Sequence, residues 1–298
     1  MLKEMIRKNK NIVILYDRIL NRILRVLERF SLEYASKFYY WIRTKKKINL
    51  KNPQTFDEKL MWLKLNTYYN NKLVTECVDK YKAREYVKQR GLEHTLNELF
   101  YVWDNPDDIN WKKLPESFAI KCNHGCGYNL ICDDKKEIDS VLETSKIKEW
   151  MKEDYWKIAV ETNYRFIEKK IVCEKYLDTE DGYVPDDYKI HCFNGKPMYI
   201  LYITDREKGA KMYLFDLEWR QMFNYMEQEK VDIKKPRCLE QMIQYAEVLA
   251  DDFPFVRVDF YEYKGEPCFG ELTFTPAACV VDYFNEQAQK DWGNLICL

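Results

Sequence analysis

The sequence predicts an α+β fold built on antiparallel sheets, and three observations predict it. Helical patterns fill roughly the first ninety residues, and strand patterns take over from about residue 100. A helix near 140–168 and another at 239–253 interrupt those strands. Finally, strand pairs are joined by tight turns, at Asn194-Gly195 and around Lys264-Gly265, so they run antiparallel. At 298 residues, with 46% hydrophobic content and no low-complexity tract or internal repeat, the chain has material for two lobes.

The first fifty residues form a basic arm, with thirteen Lys/Arg against four Asp/Glu, so the remainder carries a balance of −10. In NIVILYDRILNRILRVLERF, Ile12, Leu15, Ile19, Ile23, Val26, Leu27 and Phe30 recur at helical spacing. Arg18, Arg22, Arg25 and Arg29 form a second stripe. Such a helix can lie on anionic lipid or dock on its own protein with a solvated basic face. It lacks the ~18 uncharged apolar residues of a bilayer span. An acidic body without a basic groove argues against nucleic acid.

NPQTFDEKLMWLKL follows, and Thr55 with Glu58 three residues on is a capping-box signature for a helix from about Phe56. VDKYKAREYVKQRG reads as one helix stopped by Gly91. YVWD, SFAIKCN, YNLICDD, IVCEKYL, DYKIHCF and KPMYILYI read as strands, and LEQMIQYAEVLADDF as an amphipathic helix leading into a last hairpin. Ten scattered cysteines without a C-x-x-C pair, and no apolar signal-peptide core, suit reduced thiols in a cytoplasm. Cys122, His124 and Cys126 lack the second ligand pair a zinc site needs.

The last hairpin, VRVDFYEYKGEPCFGELTFTPAA, carries the sharpest chemical signal. Val256, Val258 and Phe260 share one face, and Arg257, Asp259 and Tyr261 the other; Glu271, Thr273 and Thr275 alternate likewise. A plain two-residue turn pairs Asp259 with Gly270. A three-residue turn or a glycine bulge instead puts Asp259 opposite Glu271 and Arg257 opposite Thr273, and this is the expected register. Two facing carboxylates repel unless a proton or cation lies between them, which suits a hard divalent ion. A solvated hairpin face with a cross-strand salt bridge is the plainer alternative.

FAIKCNHGCGYNLI places Lys121 on a strand before a turn containing Gly125 and Gly127. Such glycines let backbone N–H groups close over phosphate oxygens, although the chain leaves the turn as a strand and not as the helix of a P-loop. Lys175 and Lys189 follow inside strands; they either reach an anion or form a polar strand face.

In this order, NPQTFDEKLMWLKL, VDKYKAREYV, FAIKCNHGCGYN, VCEKYL, DYKIHCFNGKP and FPFVRVDFYEYKGEPCFGELTFTP resemble the ATP-grasp superfamily, and within it the TupA-like branch associated with teichuronopeptide and other surface-polysaccharide biosynthesis. The resemblance implies an ATP-grasp fold, two α+β lobes clamping ATP, divided as arm 1–50, N-terminal subdomain 51–114, lid subdomain 115–177 and metal and nucleotide subdomain 178–298. It implies ATP and Mg2+ as cofactors. Lys121 and Lys189 match the phosphate lysines. His124, Gly125 and Gly127 belong to the lid turn. Glu174, Lys175, Tyr176 and Leu177 form the adenine hinge. Asp259, Glu271 and Thr273 are the implied metal ligands, and Arg257 and Lys189 the catalytic cations. Thr273 stands where such ligases place Asn, and Cys126 and Tyr128 are larger than related lid residues.

The implied reaction joins a carboxylate to an amine through an acyl phosphate, releasing ADP. For this branch the expected pair is a uronic-acid carboxylate of a polysaccharide precursor and an amino acid or peptide amine. The arm then suits contact with the inner membrane face or the polysaccharide-synthesis machinery. Arg84 and Arg206 are candidates for a carboxylate or sugar site. The competing reading, a sugar-nucleotide glycosyltransferase, lacks a D-x-D. A phosphotransferase or a non-catalytic nucleotide-binding protein on the same fold are further alternatives.

Overall fold

The computed structural model describes residues 10–178, 185–205 and 209–298. Arg206 falls outside them. Helices α1 (Lys10–Phe30) and α2 (Leu32–Thr44) form the arm, separated only by Ser31, whose side chain caps α2 by accepting from the Tyr34 N–H. Among the described residues no helix is long and apolar enough to cross a membrane.

The expected capping box is present. Thr55 accepts from the Glu58 N–H, Glu58 reaches back to the Thr55 N–H, and α3 runs Phe56–Leu65. The single helix expected over 78–91 is realised only as α5 (Ala83–Gln89), and a separate helix, α4 (Lys72–Val78), ends at the first residue of that span. Asp79 breaks it, because its carboxylate accepts from the N–H groups of Tyr81 and Lys82 and holds the chain in a turn. Gly91 ends α5 at φ +77°, as expected.

Two antiparallel sheets follow. The first has strand order β1-β4-β2-β3, with β1 Leu99–Trp103, β2 Phe118–Cys122, β3 Asn129–Cys132 and β4 Ile171–Lys175. Helix α6 (Ser140–Lys152) covers it and ends well short of residue 168; the chain continues as 3-10 turns at Tyr155–Lys157 and Thr162–Tyr164. Ala159 and Val160 lie between those turns at positive φ, a backbone no helix can continue through. Phe118, Ile120, Leu130, Ile147, Ile171 and Cys173 form this lobe's own core.

The second sheet has order β7-β6-β5-β8-β9: β5 Asp187–Phe193, β6 Lys196–Thr204, β7 Lys211–Phe215, β8 Phe255–Tyr263 and β9 Glu266–Thr273. Helix α7 (Leu239–Ala250) packs against β5, β6 and β8, and α8 (Glu286–Leu295) against α3. Strand β7 and helices α2, α4 and α8 have no counterpart among the expected elements. Leu20, Leu24, Tyr39, Phe56, Leu60 and Tyr68 from the N-terminal helices share one large core with Ile190, Val258, Phe274 and Trp292. Residues 51–114 therefore contribute to both lobes, their helices to the large core and β1 to the first sheet.

Candidate active site

Hairpin β8-β9 adopts the expected register by combining two devices. Lys264 and Gly265, at φ 55° and 82°, make a two-residue turn, and the pairing then shifts at Gly270 so that Asp259 faces Glu271 and Arg257 faces Thr273. Glycine is required at that bulge. A Cβ on Gly270 would stand 2.9 Å from the Asp259 carbonyl oxygen.

Strand β5 lies on the other side of β8, with Lys189 opposite Asp259 and His191 opposite Arg257. The sheet thus presents two rows on one face, Lys189–Asp259–Glu271 and His191–Arg257–Thr273, with neighbouring strands about 4.8 Å apart. On the opposite face Ile190, Val258 and Leu272 enter the core. Alternation visible in the sequence therefore becomes a polar, largely buried sheet face two rows deep.

Asp259 is almost fully buried and doubly paired. Arg257 donates Nε to Oδ1 and an Nη to Oδ2, each at 2.7 Å, and Lys189 Nζ donates to Oδ2 at 2.5 Å. Burial would raise its carboxyl, but Arg257 and Lys189 reverse that and hold it below the usual carboxylate range. Lys189 also bonds Asp187 Oδ1 at 3.1 Å, and Arg257 donates to Thr273 Oγ1 at 3.0 Å. Glu271 is more open. Its Oε1 accepts from Thr273 Oγ1 at 3.1 Å, and among the described residues no hydrogen bond reaches Oε2. Two carboxylates and a hydroxyl are an all-oxygen donor set that fits a hard cation such as magnesium. Asp259 reaches such an ion only by sharing oxygens already bonded to Arg257 and Lys189, so Glu271 is the more accessible ligand.

On the first sheet, Lys121 donates to Glu174 Oε2 at 2.8 Å, and Arg84 bonds Glu174 Oε1 at 3.2 Å and the Asn97 carbonyl at 2.8 Å. Burial opposes the Lys121 charge, yet Glu174 raises its pKa above the ordinary value. Arg84 is thereby drawn into the Lys121–Glu174 pair. The next hinge residue, Lys175, stands 5.9 Å from the Tyr263 ring centroid, a bridge from the first sheet to the β8-β9 turn. Leu177 borders that turn with Tyr263 and Glu266, while Tyr176 has a partner of its own.

The glycine turn lies between these groups. A Cβ on Gly125 would meet the Tyr155 ring at 2.6 Å, so glycine permits that ring to close over the backbone. Gly127 has φ +80°. Tyr128 fixes the end of the turn by donating to Glu153 Oε2 at 2.5 Å and stacking on Trp150. His124 sits beneath, 2% exposed, with Nε2 3.1 Å from the Trp150 carbonyl. A carbonyl only accepts, so Nε2 carries the proton. Burial, then the Lys169 charge, pushes the imidazole down to about 4. Among the described residues, no three His, Cys, Asp or Glu side chains cluster as metal ligands, which leaves Cys122, His124 and Cys126 without a zinc set. All ten cysteines are free thiols.

The sequence pattern alone does not single out Lys80, Asp187, Glu161 or Lys64. Lys80 Nζ donates to the Gly125 carbonyl at 2.5 Å and lies 4.0 Å from Glu271 Oε2. For Asp187 the signal is β alternation, which puts it on the same strand face as Lys189. Thr275 donates to the buried Glu161 at 2.8 Å, and Lys64 is wholly buried nearby with no hydrogen bond to Nζ among the described residues. Burial raises the Glu161 carboxyl and lowers the Lys64 ammonium. Thr275 extends the alternation of Glu271 and Thr273. Glu161 and Lys64 gave no signal, one lying in an irregular segment and the other inside a helix.

A family profile described as TupA-like ATPgrasp matches residues 58–297. Among curated proteins none matches the chain. Among solved structures, the chain is similar to a D-alanine–D-alanine ligase from Bacillus anthracis, at 18% identity and a TM-score of 0.45, over 74% of this chain and 63% of that one. It is also similar to an L-amino acid ligase from Bacillus licheniformis, at 16% identity and a TM-score of 0.45, over 76% of this chain and 50% of that one. The chain spans less than two thirds of the length of either structure.

Proposed function

Because the chain belongs to the TupA-like ATPgrasp family, we propose that it is an ATP-dependent, ADP-forming carboxylate-amine ligase. One arrangement carries the reading: the row Lys189–Asp259–Glu271 beside Arg257 and Thr273, with Lys80 reaching from Glu271 to the glycine turn. Cations held rigidly by carboxylates on adjacent strands form a preorganised surface for polyphosphate, since they need no reorganisation when charge shifts during transfer.

In this reading Lys121 and Lys189 take the α- and β-phosphate oxygens, and backbone N–H groups of the turn at Gly125 and Gly127 cover the γ-phosphate. The strand end from Glu174 to Leu177 meets adenine. Glu271 and Asp259, with Thr273 beside them, would hold magnesium, which when bound would supply positive charge against the phosphate oxygens. A substrate carboxylate oxygen attacks the γ-phosphorus, the bond to the β-γ bridging oxygen breaks, and ADP leaves. An amine nitrogen then attacks the acyl carbon, the C–N bond forms, phosphate departs and the nitrogen loses a proton. Arg257 stabilises charge on the transferring oxygens, and the lobes hold the reactants in line. For the substrates we propose a uronic-acid carboxylate of a surface-polysaccharide precursor and an amino acid or peptide amine.

The test is thermal stabilisation by magnesium-ATP, beside a magnesium-UDP-sugar, for wild type and Glu271→Gln. Ligand at ~100 times its dissociation constant adds about 2.7 kcal/mol. Stabilisation by ATP that Glu271→Gln weakens is expected. Stabilisation by the UDP-sugar alone, unchanged in the variant, would overturn the ligase reading in favour of a glycosyltransferase.

A further inference from the structure

Helix α1 has two apolar faces, and among the described residues only one is covered. Leu20 and Leu24 are buried and Leu27 packs beside them in the large core. Tyr16, Ile19, Ile23, Val26 and Phe30 are exposed by 45, 50, 41, 54 and 84%. Their spacing of three and four residues lines them up as one stripe. At 3.6 residues per turn this stripe lies about 100° to one side of the Leu20, Leu24 and Leu27 face. About 100° to its other side lie Arg18, Arg22, Arg25 and Arg29, all exposed. No ion pair engages these four arginines among the described residues.

On helix α2, Tyr34 and Trp41 are also exposed, and Arg43 and Lys45 are exposed near its end. Contiguous exposed apolar side chains rimmed by charge are the kind of patch that marks a contact. The charge beside it selects the partner. Two copies packed antiparallel across the stripe would bring arginine rows together with few carboxylates between them: α1 holds only Asp17 and Glu28 against five Lys/Arg, and Glu28 is shared among Lys157, Arg165, Arg25 and Arg29 of its own chain. An anionic lipid surface accepts both features, apolar side chains below the headgroups and guanidinium groups at phosphate level.

We infer that α1 is an interfacial helix that docks the protein on anionic membranes through Tyr16, Ile19, Ile23, Val26 and Phe30, with Arg18, Arg22, Arg25 and Arg29 on lipid phosphates. The helix also contacts the turn at Tyr155–Lys157, and Tyr155 covers Gly125. Helix α1 and the Tyr155–Lys157 turn thus connect the proposed lipid-facing stripe to the glycine turn. The inference does not depend on the ligase reading, because its test uses no nucleotide and no substrate.

The experiment is co-sedimentation of the full chain with vesicles of phosphatidylcholine alone and of phosphatidylcholine with phosphatidylglycerol, at two salt concentrations. Wild type is expected on the anionic vesicles, with binding weakened by salt, and largely off the neutral ones. Arg18→Gln with Arg22→Gln should weaken binding by roughly 30-fold, at about one elementary contact per arginine. Ile19→Ser with Ile23→Ser should abolish it while leaving the thermal midpoint unchanged, since both side chains are exposed. Binding to neither vesicle, equal binding to both, or binding that survives either pair of substitutions overturns the inference. So does a concentration-dependent dimer without lipid binding that Ile19→Ser with Ile23→Ser dissolves in sedimentation velocity; that outcome assigns the face to a second copy.

Discussion

Lys80 joins the glycine turn to the Glu271 carboxylate: its ammonium donates to the Gly125 carbonyl and stands 4.0 Å from Glu271 Oε2. A bound polyphosphate between turn and hairpin would meet this cation from both sides. Lys80→Met is therefore expected to weaken magnesium-ATP binding by roughly tenfold, about the loss of one charge-assisted hydrogen bond. It should change unliganded stability by less than about 1 kcal/mol, because Glu271 is more than a third exposed. Thermal midpoints with and without ligand separate the two effects.

Asp259 and Glu271 face each other yet differ in burial, and their substitutions should differ accordingly. Asp259→Asn leaves Lys189 and Arg257 buried around a neutral amide and is expected to cost about 3–5 kcal/mol in urea unfolding. Glu271→Gln should cost less than about 1 kcal/mol. A result in which Asp259→Asn is as stable as wild type would mean that the cations are solvated in solution and not held by that carboxylate.

Two buried groups give opposite pH dependence. His124, lowered to about 4 chiefly by burial, contributes stability that is complete above its unfolded pKa of about 6.5 and is lost as pH falls toward 4. Between pH 7 and 5 that loss is about 2 kcal/mol. Asp57 accepts from the Val281 N–H and Gln289 Nε2, and burial raises it to about 6. Its protonation adds stability that is complete below about 3.8 and disappears as pH rises through 6, roughly 1 kcal/mol over the same interval. Urea midpoints at pH 7 and 5 should show His124→Gln less acid-sensitive than wild type, and Asp57→Asn more so. Parallel pH profiles for all three proteins would refute both assignments.

Local signals were legible where the chemistry is local. The Thr55 and Glu58 capping box, the Asn194-Gly195 turn and the alternation of Arg257 and Asp259 each depend on neighbours within a few residues, and each formed as read. The break at Asp79 was hidden because a helix and an Asx turn share the same residues, and the choice between them came from the tertiary bond of Asn123 Nδ2 to Asp79 Oδ1. The arm's apolar pattern was visible, but its division into a covered and an open face was not: Leu20 and Leu24 belong to the core only because the body supplies a surface there. Lys80 and Glu161 were invisible for the same reason. Each enters the site through a contact distant in sequence.

Gly270 tests how the site's register is held. The bulge exists because two residues, Glu271 and Gly270, occupy the space that one would fill opposite Asp259, and the Gly270 Cα approaches the Asp259 carbonyl where a methyl group would stand only 2.9 Å away. That neighbour is backbone, so the strand itself must move to admit a side chain. Gly270→Ala is expected to destabilise the protein by about 1–3 kcal/mol. If the strain is relieved by removing the bulge, Glu271 turns to the core face and Asp259 loses its partner across the strand. The variant would then fold with magnesium-ATP stabilisation reduced more than Glu271→Gln alone reduces it, since Glu271 and Thr273 both leave the polar face. Unaltered stability and unaltered ligand response together would show that the carboxylate pair does not depend on the bulge.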